Sequence, residues 1–226
     1  TAYEISTRDW SSDVCSSDLK EVKKEMTVKA GQKCTAVRRI FVPENKMEAV
    51  WKDLAIVLDK TTIGNPLNEK VRMGSLAGVD QRNEVKTQVQ KLLASSELIY
   101  GSLDSVTVID ADAAIGAFMS PLLLMNKTPL QSEEPHNIEA FGPVSTIMPY
   151  RSMDEVIALS KKGKGSLCST IVTSNPTIAK QYVLGAANHH GRMLVLNNEC
   201  AKESTGQDRK STRLNSSHEW ISRMPS

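Results

Sequence analysis

The sequence predicts an α/β fold, a mainly parallel sheet flanked by helices. Three observations point there. Short apolar, β-leaning runs alternate along the chain with helical segments of ten or more residues, the order that βαβ units produce. Some of those runs are apolar without interruption, PLLLM at 121–125 for example, as strands covered on both faces require. Residues 44–60 place Met47, Val50, Trp51, Leu54, Val57 and Leu58 at three- and four-residue steps. That is the apolar stripe of a helix lying on such a sheet.

Taken in order, 20–29 sets Val22, Met26 and Val28 among charges in a short helical pattern, which Gly31 breaks. Cys34-Thr35-Ala36-Val37 then runs into a β-rich stretch at 38–42 that Pro43 stops. After the helix at 44–60 comes a loop at 62–78 containing Gly, Pro and Asn, and a second helix at 79–95. Short strands are expected at 98–100, 105–109 and 118–124, followed by a polar stretch. A strand at 144–149, a helix at 152–160, a strand at 166–173, a helix at 176–189 and a strand at 193–197 complete the pattern.

The two ends stand apart. Residues 1–19 and 210–226 are polar and aperiodic, and contain the strings DWSSDVCSSDL and KSTRLNSSH. Those strings resemble translated adapter oligonucleotides from DNA sequencing libraries, so the ends are expected to lie outside the fold. Natural disordered tails are the alternative. The remaining 20–209 is long enough for one core. The ends hold 4 of the 28 basic and 5 of the 26 acidic residues, leaving 24 against 21. So even a balance gives no argument for nucleic acid or an anionic membrane, and no apolar run approaches the roughly 18 residues of a membrane span. Cys34, Cys168 and Cys200 are odd in number and far apart. That argues against disulfides or zinc and for a reducing cytoplasm.

Cys34 is the residue with most chemistry. A thiol in a Gly-containing loop that meets a short helical turn can sit near the positive end of a helix dipole and exposed N–H groups, which favour its ionised form. The same N–H groups can stabilise an oxyanion. A buried structural cysteine is the other reading.

The segment Ala30-Gly31-Gln32-Lys33-Cys34-Thr35-Ala36, with Arg39-Ile40-Phe41-Val42 after it, resembles the nucleophile region of the aldehyde dehydrogenase superfamily. Three further stretches match in order: Ile63-Gly64-Asn65-Pro66 with Met73-Gly74, Ile138-Glu139-Ala140-Phe141-Gly142-Pro143-Val144, and Gly191 with Val195-Leu196-Asn197. The resemblance implies the catalytic-domain type of that family, truncated at both ends. It also implies Cys34 as the nucleophile, NADP or NAD as cofactor, and an aldehyde substrate. Glu139 would bind the nicotinamide ribose. Phe141 would pack beside the nicotinamide or serve as core, and Asn197 would shape the substrate side or cap a strand. A narrower resemblance, on 21–36 and 197–206, is to the dehydrogenase part of the bifunctional phenylacetate-degradation family. It implies a coenzyme A-linked semialdehyde, a C-terminally fused hydratase domain and a homo-oligomeric parent.

The family's general-base glutamate and oxyanion asparagine have no match here, and Glu21 and Glu25 do not fit the base motif. The segment alone is therefore expected to be inactive. His189-His190 reads as a solvated helix cap rather than a metal site, Cys168 as core, and Gly163-Lys164-Gly165-Ser166 as a flexible turn rather than a phosphate loop. A non-catalytic scaffold is the competing reading. A different cysteine acyl-transferase would need a histidine partner, and His136, His189 and His190 carry no dyad signature.

Overall fold

The computed structural model describes residues 3–6 and 16–196. One seven-stranded sheet organises them, with strands β1 (Tyr3–Ser6), β2 (Val37–Pro43), β3 (Glu97–Tyr100), β4 (Leu122–Met125), β5 (Val144–Tyr150), β6 (Ser166–Val172) and β7 (His190–Leu196). The spatial order is β3-β4-β5-β2-β1-β6-β7. Every pairing is parallel except β3 with β4.

Helices α1 (Ser16–Thr27), α2 (Met47–Leu58), α3 (Val79–Leu92), α4 (Glu134–Asn137), α5 (Met153–Lys161) and α6 (Pro176–Ala186) cover the sheet. Strand alternation sorts the core. Ile40, Val42, Ile147, Cys168 and Val172 pack with Leu19, Val22 and Met26 of α1 and Val50, Leu54 and Leu58 of α2. Phe41, Met148 and Ile171 point the other way, onto Val156 and Leu159 of α5 and Tyr182 and Ala186 of α6. A third cluster sets Val85, Val89 and Leu92 of α3 against Leu122, Leu124 and Val144. Leu54, buried completely, contributes about 2 kcal/mol by this transfer.

The expected α/β class holds, and the differences are local. No strand forms at 105–109, where only Ile109 bridges to Gly64. Ser102 Oγ accepts from the N–H groups of Asp104 and Ser105, a side-chain turn that competes with a ladder. Strand β4 starts at Leu122 rather than 118, because Pro121 lacks an N–H and Ser120 Oγ is bonded to Ser102. The polar stretch contains the one-turn helix α4, with Pro135 near its start. The first 19 residues were expected outside the fold, yet Tyr3–Ser6 forms β1 and Ser16–Leu19 opens α1. A parallel slot asks only for extended backbone, and the helix start for one apolar side chain, here Leu19.

Candidate active site

Cys34 lies in the connection from α1 to β2, and its geometry begins with three consecutive left-handed residues: Lys29 (φ 55°), Ala30 (φ 50°) and Gly31 (φ 70°). Two of the three carry a Cβ, so this backbone is held against its preference by its surroundings. Gln32 N–H donates to Lys29 O at 3.0 Å and Lys33 N–H to Gly31 O at 3.0 Å, and the turn Lys33–Ala36 is closed at 3.1 Å. Among the described residues no backbone acceptor takes the N–H of Cys34 or Thr35. Cys34 itself is half-buried.

The helix-dipole part of the sequence expectation is not met. Helix α1 and the short 3-10 turn Val28–Gly31 both precede Cys34, so they turn their partly negative C-terminal ends toward it. The turn's own N–H groups are what this loop offers to developing negative charge.

Beneath the loop, Lys33 Nζ lies 2.5 Å from Glu25 Oε2, with the two side chains 8% and 1% exposed. Burial raises the Glu25 carboxyl above its usual range, and Lys33 draws it back down. The pair pins the nucleophile loop to α1. Gln32 pins it on another side, accepting at Oε1 from Ala77 N–H at 2.8 Å.

The second loop arrives between α4 and β5. Glu139 is half-buried, and Phe141 is 44% exposed in a left-handed conformation (φ 49°). The two loops touch through their glycines. A Cβ on Gly31 would fall 2.2 Å from Gly142 O and 2.7 Å from Pro143 N. Beside this contact is an open cleft of about 530 Å³ lined by Lys29, Ala30, Gln32, Pro66, Gly74, Ser75, Ala77, Gln81 and Phe141. The structure thus brings the Cys34 loop and the Glu139–Phe141 segment together, although neither Cys34 nor Glu139 lines the cleft. The Pro66 and Gly74 stretches, which the sequence marks only as family matches, supply its far wall. Sequence reasoning misses Gln32 and Gln81, since isolated glutamines carry no signal.

Other expectations resolve plainly. Cys168 is fully buried, and burial pushes its thiol up to about 12. His190 is no solvated cap: its Nε2 lies 2.7 Å from Ser160 Oγ at the start of β7. His136 is buried between Arg39 (Nη1 to Nδ1, 2.7 Å) and Pro129 O (2.8 Å from Nε2). In the turn at 163–166, a Cβ on Gly163 would meet Arg39 Nη2 at 2.2 Å, whereas one on Gly165 would meet nothing within 4 Å. No metal-binding group occurs among the described residues, and no described helix is long and apolar enough to cross a membrane. Asn197 and Cys200 lie outside the described residues.

Known proteins match this chain over most of its length. The profile of the aldehyde dehydrogenase family matches residues 12–203. The chain is 35% identical over 188 residues to the 3,4-dehydroadipyl-CoA semialdehyde dehydrogenase of Aromatoleum evansii, covering 83% of this chain and 36% of that protein. It is 42% identical over 136 residues to Protein MaoC of Klebsiella aerogenes, covering 59% of this chain and 38% of that one. The chain therefore spans little more than a third of these relatives. Among solved structures, succinic semialdehyde dehydrogenase from Streptococcus pyogenes in complex with NADP+ superposes with a TM-score of 0.71. It is 23% identical, over 86% of this chain and 40% of that one. Betaine aldehyde dehydrogenase from Staphylococcus aureus in complex with NAD+ gives 0.72 at 18% identity, over 86% and 36%. At these identities the likeness establishes the fold.

Proposed function

The chain belongs to the aldehyde dehydrogenase family, and from that premise we propose that it supplies the thiol half of an aldehyde-oxidising site, with Cys34 as nucleophile. The observation that carries this reading is the Gly31–Gly142 contact, which holds the cysteine loop against the Glu139–Phe141 segment.

The chemistry follows from the groups present. Cys34 Sγ bonds to the aldehyde carbon, and the carbonyl electron pair moves to oxygen, where N–H groups of the Cys34 turn donate to it. Loss of hydride from the resulting thiohemiacetal leaves a thioester on Cys34. Water then adds to that carbon, the C–S bond breaks toward sulfur, and the acid departs with the thiol restored.

A nicotinamide dinucleotide supplies the hydride acceptor. The cleft fits one end of such a molecule: about 530 Å³, with an exposed aromatic face at Phe141 and polar side chains at Gln32, Ser75 and Gln81. Glu139 would bind the ribose hydroxyls and Phe141 would pack beside the nicotinamide. Relatives of this fold were solved with NADP+ and with NAD+, and both remain within this proposal. The substrate class we propose is a coenzyme A-linked semialdehyde, supported by the name of the Aromatoleum relative, and its place in phenylacetate breakdown rests on the resemblance of 21–36 and 197–206. The parent would be a cytoplasmic homo-oligomer with a hydratase domain fused beyond this segment. The same reading takes 20–209 as the family segment and 1–19 and 210–226 as adapter-derived, which sequencing the gene across both junctions tests.

The direct test is Cys34→Ser in the complete gene product. Aldehyde-dependent NADPH or NADH formation is expected to vanish, and peptide mapping after brief iodoacetamide treatment should find Cys34 labelled well before Cys168. Surviving activity, or Cys168 labelled first, overturns the proposal.

A further inference from the structure

Two consecutive arginines open β2, and both reach the same place nearly a hundred residues away. Arg38 Nη2 donates to His136 O at 3.0 Å and its Nη1 to Ile138 O at 3.5 Å. Arg39, on the buried side, sets Nη1 2.7 Å from His136 Nδ1 and donates to Leu159 O and Ser160 O at 3.0 and 3.1 Å. Because His136 Nε2 faces the Pro129 carbonyl at 2.8 Å, that nitrogen carries the proton and Nδ1 is left as the acceptor for Arg39.

The segment held this way has little structure of its own. Helix α4 is a single turn of four residues, too short to persist by itself, and Ile138–Phe141 after it is neither helix nor strand. Arg38 closes on the last carbonyls before Glu139. The Glu139 charge is also the counter-charge that acts on the Arg38 guanidinium against the cost of its burial. Arg38, the second residue of β2, stands four residues after Cys34, so one short stretch of chain carries both the thiol and the grip on the facing loop.

We propose that Arg38 is a positioning residue that presets Glu139 and Phe141 relative to Cys34 before any nicotinamide nucleotide enters. The nucleotide in this statement rests on the function proposed above, whereas the grip is a matter of this chain alone. A loop fixed in advance leaves less ordering to be done on binding. Arg38 suits the task because its planar fork spans two carbonyls, which an ammonium group covers less well.

The experiment uses the full 226-residue chain with Arg38→Met and Arg38→Lys, read by amide hydrogen exchange and by NADP+ titration. In Arg38→Met, exchange across 136–142 is expected to rise about tenfold or more while β5 keeps its protection, and the NADP+ dissociation constant to rise about tenfold. Arg38→Lys should recover part of both. Unchanged exchange at 136–142, exchange raised equally through β5, or a lysine variant no better than methionine would overturn the proposal. If the unsubstituted chain, which spans little more than a third of its relatives, does not bind NADP+, the titration is made on the complete gene product, where failure to bind overturns the cofactor reading, and the exchange results still decide the grip.

Discussion

Replacing Gly31 with alanine tests whether the two loops are truly locked together. The substitution adds one methyl group, and two costs attach to it. A left-handed φ of 70° disfavours a Cβ-bearing residue by about 1–2 kcal/mol. Lys29 and Ala30 already tolerate that region in the same turn, so this part alone is survivable. The contact decides the outcome. The new Cβ would lie 2.2 Å from Gly142 O and 2.4 Å from Gly142 C, and both are backbone atoms that cannot rotate aside. Parting them by the ångström or more required costs about 1–3 kcal/mol, as other overpacking does. A combined loss of about 3 kcal/mol corresponds to a drop in melting temperature of about 6–12 °C for a chain of this size. Gly78→Ala is the control, since a Cβ there meets nothing within 4 Å and alanine for glycine at a helix N-cap costs about 1 kcal/mol, well short of the loss at Gly31. Calorimetry or circular dichroism reads both. A Gly31→Ala protein melting with the Gly78→Ala control would refute the locked contact.

Two further substitutions probe the supports of the site. Lys33→Met strands Glu25, 1% exposed, without its counter-charge, a loss of about 3–5 kcal/mol. The urea midpoint should fall most at high pH and recover as pH falls, since burial raises the Glu25 carboxyl and favours its protonated form, and Glu25→Gln added to Lys33→Met should restore part of it. His136 is drawn down to about 4, first by burial and then by Arg39. Its neutral form therefore favours the fold fully above the ordinary value of 6.5, and that contribution disappears as pH falls through about 4. Holding a proton off the ring this strongly is linked to about 3 kcal/mol of stability at most. The His136 share of that acid sensitivity should disappear in His136→Asn, leaving the share of His190, which burial also draws down to about 4, as pH-dependent urea titration between 7 and 4 will show.

The sequence made some parts of this protein readable and hid others for definable reasons. Helix α2 was legible because Val50, Leu54 and Leu58 repeat with the helical period and do face the core. Strand β2 was legible from the β-rich run Ile40-Phe41-Val42 that Pro43 ends. Cys34 and the Glu139–Phe141 segment stood out through family resemblance, which local chemistry alone would not have supplied. The contact joining them was invisible: glycine at 31 and at 142 says that space is short, not what fills it. Arg39 is the plainest failure. Nothing in the sequence marks this arginine as buried, and His136 Nδ1 with the carbonyls of Leu159 and Ser160 explains how it is. The absent strand at 105–109 failed for the opposite reason, since a good β pattern lost to the Ser102 turn.

The shortness of β1 has a mechanical consequence. Its four residues sit mid-sheet between two seven-residue strands, in register with three positions of β2 but only two of β6, whereas β6 and β7 share six. Unfolding ordinarily frays a sheet from its margins inward. Among the described residues the seam of fewest rungs runs through the interior, so under load or heat β6 and β7 would part from β2 as a unit, and the break would begin inside the sheet rather than at its edge.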